Sequence, residues 1–389
     1  MAPRLFIISG SAGSGKSLLL KTIQSQSTFK AATAPKYSTR PQRVSEFDDT
    51  KHVSQINDEE YTFVYPLQTH VYGIRAEEIT ALLAQGYNVF VALSDLRVVE
   101  EVKRYFGSLA VSLYIYRNLS SRQLRQILDE REKRRNPAEP KPITFTKEGK
   151  SRVNRLYLMQ RQYVENITLF DHAILNTGEP EDLLDQVRNI IVGYDAGVIR
   201  RGMKGPVIFL IAAASGSGKR TLMSAMYNFG RRSIYVIEKA TTRLLHPDDG
   251  QEIYHVDKID ETNFDINYVF HETEYGIETE KIWQNLARGR PQILITNMQQ
   301  FEKFRERFGP LTVCVYLHAT RTKKQLYEWQ LKRHGDAEKA SLKVAELRRI
   351  HQDYIENIAH FQHVLLNTIE VEDFWEQMFR LVRFYSVPA

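Results

Sequence analysis

A chain of 389 residues, 42% hydrophobic and 26% charged, has room for two domains that each bury a core without disulfides or metal. Its single cysteine, Cys314, excludes an internal disulfide framework and fits a reducing compartment, and no apolar run approaches the roughly 20 residues of a membrane-spanning helix. A cytoplasmic protein with no membrane partner is therefore expected, and a formal charge of +6 accommodates anionic small molecules or nucleic acid without choosing between them.

Residues 5–8 (LFII) form a continuous apolar run, the signature of a central parallel strand covered on both faces. The run leads into GSAGSGKS at residues 10–17, a full G-x-x-x-x-G-K-[ST], and then into Leu18, Leu19, Leu20 and Ile23 at helical spacing. Further on, residues 89–93, 111–116 and 173–175 repeat the strand signature, with helical stretches such as 77–84 between them. Residues 134–150 (RRNPAEPKPITFTKEGK), rich in proline and charge, read as a loop. Three glycines and the bases Arg200, Arg201 and Lys204 mark a linker over 194–205, which bounds one domain at 1–196 and another at 204–389. A second apolar run, 207–211, opens the same pattern again, and AASGSGKR at 213–220 follows it. The order is that of a doubly wound α/β fold, twice.

An offset of 203 aligns Lys16 with Lys219, Arg40 with Arg243, Tyr72 and Gly73 with Tyr275 and Gly276, and Gly86 with Gly289. Near the end of each half the offset becomes 191, where residues 165–177 match 356–368 at eight of thirteen positions. The first half carries the longer insertion.

A strand that ends in a glycine-rich turn and opens a helix aims backbone N–H groups and the positive end of the helix dipole at one spot, which suits phosphate oxygens. Gly10, Gly13 and Gly15 permit close approach, Ser14 and Leu18 belong to the same cradle, Lys16 can neutralise the β and γ phosphates, and the Ser17 hydroxyl can ligate Mg²⁺. ATP and Mg²⁺ are the cofactors this implies. The second loop keeps Gly216, Gly218 and Lys219, but Ala213 replaces the first glycine, Arg220 the hydroxyl residue, and Thr221 comes one residue late. It reads as a retained structural turn, with the half around it a pseudo-enzyme.

These landmarks resemble guanylate kinases: GSAGSGKSLL, YSTRPQR at 37–43, Tyr72-Gly73, Gly86 before an apolar strand, and Leu175-Asn176. The ribose bisphosphate kinase of phosphonate metabolism, a relative of that family, shares the layout. The resemblance implies an α/β fold of two consecutive P-loop nucleotide-kinase-like domains, each a parallel sheet flanked by helices with a lid. It implies that Arg40, Arg43 and Tyr72 hold the phosphate of the acceptor, since guanidinium forks match phosphate oxygens. It also implies lid arginines over the transferring group, with Arg131, Arg134, Arg135, Arg152 and Arg155 as candidates. The family's guanine contacts are replaced here by Lys36, by the lack of an acid between Phe63 and Val71, and by Ile74, which argues against GMP. Leu93 replaces the first acid of the family's strand-end pair, and Asp95 keeps the second, as a catalytic and substrate-binding candidate. In the second half His246, Ile295 and Asn297 replace the second arginine and both acids, and Arg333 falls in the lid region. Lys239 matches Lys36; a surface lysine is the favoured reading, a non-guanine site common to both halves the other.

The expectation is an ATP-dependent phosphotransferase, with Lys16, Asp95, Arg131 and Arg152 in catalysis. Its partners would be a small phosphorylated substrate, a nucleoside monophosphate or sugar phosphate, and an intramolecular contact between the halves. An inactive scaffold that binds phosphorylated partners is the rival, and a kinase of nucleic-acid ends the third reading.

Overall fold

The apolar run that opens the chain forms β1 (Leu5–Ser9), and every residue of it is buried. The computed structural model describes the chain except residues 1–2, 12, 27, 43–48, 68, 120, 136–153, 155–157, 159–160, 177–178, 200–204, 215, 230–232, 246–248, 271, 321–322, 368–370 and 387–389. It divides into two units, Met1–Asp195 and Ala196–Ala389.

In the first unit β1 is followed by β2 (Ala31–Thr33), β3 (Lys36–Ser38), β4 (Thr50–His52), β5 (Phe63–Leu67), β6 (His70–Ile74), β7 (Asn88–Ala92), β8 (Ala110–Tyr116) and β9 (His172–Leu175). A five-stranded parallel sheet runs β2-β7-β1-β8-β9, and a four-stranded sheet runs β4-β3-β6-β5. Strand β1 thus lies between β7 and β8, and the chain leaves it toward β2 on one side while β7 leads on to β8 on the other. The carboxyl end of β1 is a switch point of the sheet, where open α/β sheets bind ligands.

The second unit repeats this order. Its strands are β10 (Ile208–Ala213), β11 (Tyr235–Val236), β12 (Lys239–Thr241), β13 (Ile253–His255), β14 (Ile266–Phe270), β15 (Thr273–Ile277), β16 (Gln292–Thr296), β17 (Thr312–Ala319) and β18 (His363–Asn367). The sheets run β11-β16-β10-β17-β18 and β13-β12-β15-β14. The α/β class read from the sequence holds, with strands and the helix Ala76–Ala84 within two residues of their expected bounds.

The core of each large sheet explains why continuous apolar runs were required. Leu5, Phe6, Ile7 and Ile8 are fully buried, as are Ile208, Phe209, Leu210 and Ile211. Covering both faces of such strands removes apolar surface at about 25 cal/mol per Å². The outer strand β9 is closed by a side chain: Gln186, fully buried, accepts from Leu175 N at 2.9 Å and donates to Leu175 O at 3.0 Å. Gln377 does the same at Leu366 on β18. Tyr194, expected in the linker, belongs to the helix Pro180–Asp195, and Arg4 lies 4.4 Å over its ring.

Candidate phosphate-binding site

The turn after β1 has the backbone that only its glycines allow, with φ of +150 at Gly10, +87 at Gly13 and +113 at Gly15. It opens the helix Lys16–Gln26, whose first turn exposes Ser17 and Leu18. Lys16 Nζ rests on the loop itself, donating to Gly10 O at 2.6 Å and Ser11 O at 2.9 Å. Two residues from distant parts of the unit fasten the turn. Asn176 Nδ2, just past β9, donates to Ser14 O at 2.5 Å, and Arg117, just past β8, donates to Gly13 O at 3.2 Å.

Ser14 is fully buried, and its Oγ has no hydrogen-bond partner among the described residues. That oxygen sits over Gly10, where an added Cβ would stand 2.6 Å from it. A buried hydroxyl left unbonded costs about 1–3 kcal/mol. In the second unit the matching Ser217 Oγ is satisfied by Ala214 O at 2.8 Å.

Across the strand ends, Ser9 Oγ donates to Leu93 O at 2.9 Å, so the loop and Asp95 leave adjacent strands. Leu93 is buried, and Asp95 caps the helix Leu96–Phe106 by accepting from Arg97 N at 3.0 Å. Both carboxylate oxygens are engaged by the Arg97 side chain, at 3.2 Å and 2.8 Å. That pairing holds the Asp95 carboxyl below the usual carboxylate range against the opposing effect of partial burial. Asp95 is therefore already neutralised, by an arginine that is 77% exposed and able to swing away.

The small sheet carries the residues expected to hold an acceptor phosphate. Tyr72 pairs in register with Ser38 and with Tyr65, and stacks on the Tyr65 ring at 5.5 Å. Burial, with Tyr72, Asp95 and Asp49 nearby, raises the Tyr65 phenol well above its ordinary value, so these groups share one locality. Arg40 is buried, its carbonyl bonded by His52 Nδ1 at 2.7 Å. Lys36 Nζ pairs with Asp49 at 2.9 Å, with the two side chains only 15% and 12% exposed. Arg43, Arg152 and Arg155 lie outside the described residues, as does the stretch 136–150. Arg131, Arg134 and Arg135 fall on the helix Ser121–Arg135, their side chains outside the described set.

The second unit holds the fuller surprise. Lys239 is 8% exposed, which overturns its reading as a surface lysine: the residue that follows the turn before β12 is drawn under the small sheet. Arg243, kept at the clamp position, is held by Asp249 through two bonds of 2.7 Å and 2.6 Å, and this raises its guanidinium further, as does Tyr275. Lys219 Nζ rests on Ala213 O and Ala214 O at 3.1 Å and 2.9 Å. Tyr268 and Tyr275 reproduce the tyrosine stack at 5.3 Å. A cavity of about 380 Å³ opens among Lys219, Lys239, Tyr275, Asn297, Lys343 and Arg349.

Sequence reasoning placed the loop and the tyrosine, and it missed Arg117, the anchoring role of Asn176, and the second-unit cavity. No protein-family model matches the chain, and no curated protein matches it. Among solved structures, guanylate kinase from Anaplasma phagocytophilum is similar at 15% identity and a TM-score of 0.33, over 48% of this chain and 89% of that chain. No helix among the described residues is long and apolar enough to cross a membrane.

Proposed function

We infer that the first unit is an ATP-dependent phosphotransferase that moves the γ-phosphoryl of Mg-ATP to a small phosphorylated acceptor, a nucleoside monophosphate or sugar phosphate. The observation that carries the reading is the turn after β1, with a lysine parked on its carbonyls and a buried serine hydroxyl awaiting a partner. Mg-ATP would supply the phosphoryl group, with the metal drawing negative charge from its oxygens.

The chain's own groups do the positioning. Loop N–H groups and the dipole of the helix Lys16–Gln26 would hold the phosphate tail, and Lys16 would exchange two carbonyl bonds for phosphate oxygens. Ser17, exposed on the first helical turn, would meet the metal. Arg40, Tyr72 and Lys36 line the acceptor side, where a phosphate would compete with Asp49 for the lysine. Such groups suit the reaction, because phosphoryl transfer depends on positioning and charge stabilisation more than on proton abstraction. The second unit, with Arg220, Ile295 and Asn297 at the transfer positions, serves a structural or regulatory role.

Lys16→Ala should abolish phosphate transfer from ATP to a panel of nucleoside monophosphates and sugar phosphates while the circular dichroism spectrum is unchanged. Transfer at the unaltered rate would refute the assignment. A second reading, a scaffold that only binds phosphorylated partners, draws on buried Leu93 and on the engagement of Asp95 by Arg97. ATP affinity separates the two, since a scaffold needs none.

A further inference from the structure

The second unit turns a set of cations toward its cavity. Lys36 and Lys239 occupy matching positions, each with its backbone N–H on the carbonyl of an acidic residue, Asp49 O at 2.8 Å and Glu252 O at 2.7 Å. In the first unit the lysine side chain folds back onto Asp49. In the second unit Lys239 leaves Glu252, whose Oε2 is buried without a partner, and donates instead to Ile295 O at 2.9 Å, lining the cavity. A buried ammonium with no carboxylate in ion-pair contact is costly, and an anionic ligand at that spot would offset the cost.

Three further cations border the same space. Lys219 reaches it from the loop, and Lys343 and Arg349 from the helix Ala337–Glu356, which also contributes Glu346 and Asp353. Four cations face two carboxylates, a surplus of two positive charges. Lys343 already shares Glu346, at 2.7 Å, which leaves Lys239, Lys219 and Arg349 as the cations with no acid in ion-pair contact among the described residues. Apolar walls come from Ile253, Phe270 and Ile350 beside the stacked tyrosines. The volume, about 380 Å³, lies in the range of small-molecule sites.

We propose that this cavity binds a small phosphate monoester as its dianion, without a divalent metal and without turnover. The phosphate sits between Lys219 and Lys239, and the organic body lies along Ile253, Phe270 and the Tyr268–Tyr275 stack. Metal independence follows from the donor set. Arg220 stands where a metal-ligating hydroxyl would be, and Ile295 and Asn297 where strand-end acids would be. The clamp arginine is not needed, because Asp249 holds it and the lysines take its place.

The site carries its own pH signature. Burial lowers Lys219 to about 8, with Glu346 opposing and Lys239 and Lys343 reinforcing the shift. Arg349 and Asp353 face the same space, while Tyr268 is pushed up to about 12 and remains neutral. Binding therefore favours the protonated lysine and fails as pH rises past its titration.

The test uses the full chain with Lys16→Ala, which disables the first-unit loop, in EDTA, with ribose 5-phosphate and inorganic phosphate as probes. All three tryptophans, Trp283, Trp329 and Trp375, belong to the second unit, and Trp329 packs beside the loop at Gly216, so emission reports this site. Saturable binding of ribose 5-phosphate below about 1 mM is expected, unchanged by added Mg²⁺ and weaker by about tenfold or more between pH 7.5 and 9.5 as the competent fraction falls. Lys239→Met and Lys219→Met should each weaken it about tenfold; the second variant stands at the head of the helix Lys219–Phe229 and decides the matter should the first fail to fold. No saturable binding, dependence on Mg²⁺, or indifference to Lys219→Met with Lys239→Met also indifferent or unfolded would overturn the proposal. Because every tryptophan and both variants lie in the second unit, none of these outcomes bears on the phosphotransferase reading of the first.

Discussion

Replacing Gly15 with alanine probes how the phosphate loop is held in shape. At φ +113 an L side chain carries about 1–3 kcal/mol of backbone strain. The added Cβ would also stand 2.5 Å from Asn176 Nδ2, so the carboxamide must leave Ser14 O and forfeit about 1 kcal/mol of net hydrogen bonding. The change should therefore destabilise the first unit by about 3 kcal/mol. Asn176→Ala alone should cost about 1–2 kcal/mol, because it leaves the Ser14 carbonyl without that donor. Since alanine at 15 has already expelled the carboxamide, the double variant should cost no more than Gly15→Ala alone, short of additivity by about 1–2 kcal/mol. Hydrogen exchange at the amides of β1 measures the opening free energy of the unit. Tryptophan emission during denaturation reports the second unit separately, because every tryptophan lies there. Strictly additive effects would show that Asn176 does not lock the turn, and a neutral Gly15→Ala would refute the strain argument.

Other expectations follow from the same geometry. Arg117→Met should weaken ATP binding about five- to tenfold if its guanidinium turns from Gly13 O to a phosphate, and calorimetry of the variant decides it. Arg97→Ala removes the main cause of the low Asp95 titration, so that carboxyl should titrate closer to an ordinary aspartate by NMR. For Lys219 the unfolded state, with the ordinary value of 10.5, binds more protons than the folded state, at about 8. The stability of the second unit should accordingly rise with pH between those values, by up to about 1.4 kcal/mol per unit, and Lys219→Met should flatten that part of the curve.

The large sheets were legible because their strands are buried on both faces and so read as unbroken apolar runs, as at β1 and β10. The small sheets were not. β2 and β4 are three residues long and half-buried, giving neither alternation nor a run to detect. At the site, residue types that only one chemistry demands, such as the glycines and Lys16, announce themselves. Asn176 meets Ser14 across 162 positions of sequence, and an asparagine after a strand signals nothing until the fold brings the two together. Lys239 is harder still, since a lone lysine is ordinarily solvated. Its register with Lys36 was visible, but burial depends on how Glu252, Ile295 and Tyr275 close around it.

The glutamines that bracket Leu175 and Leu366 have a consequence for biogenesis. A polypeptide that builds two sheets of identical strand order in succession risks grafting a newly made strand onto the wrong sheet, and an open edge is the template for that error. By occupying both the N–H and the C=O of Leu175, and likewise of Leu366, each carboxamide poses as a neighbouring strand for one residue. Each large sheet thus offers an added strand one backbone position fewer to pair with at that border.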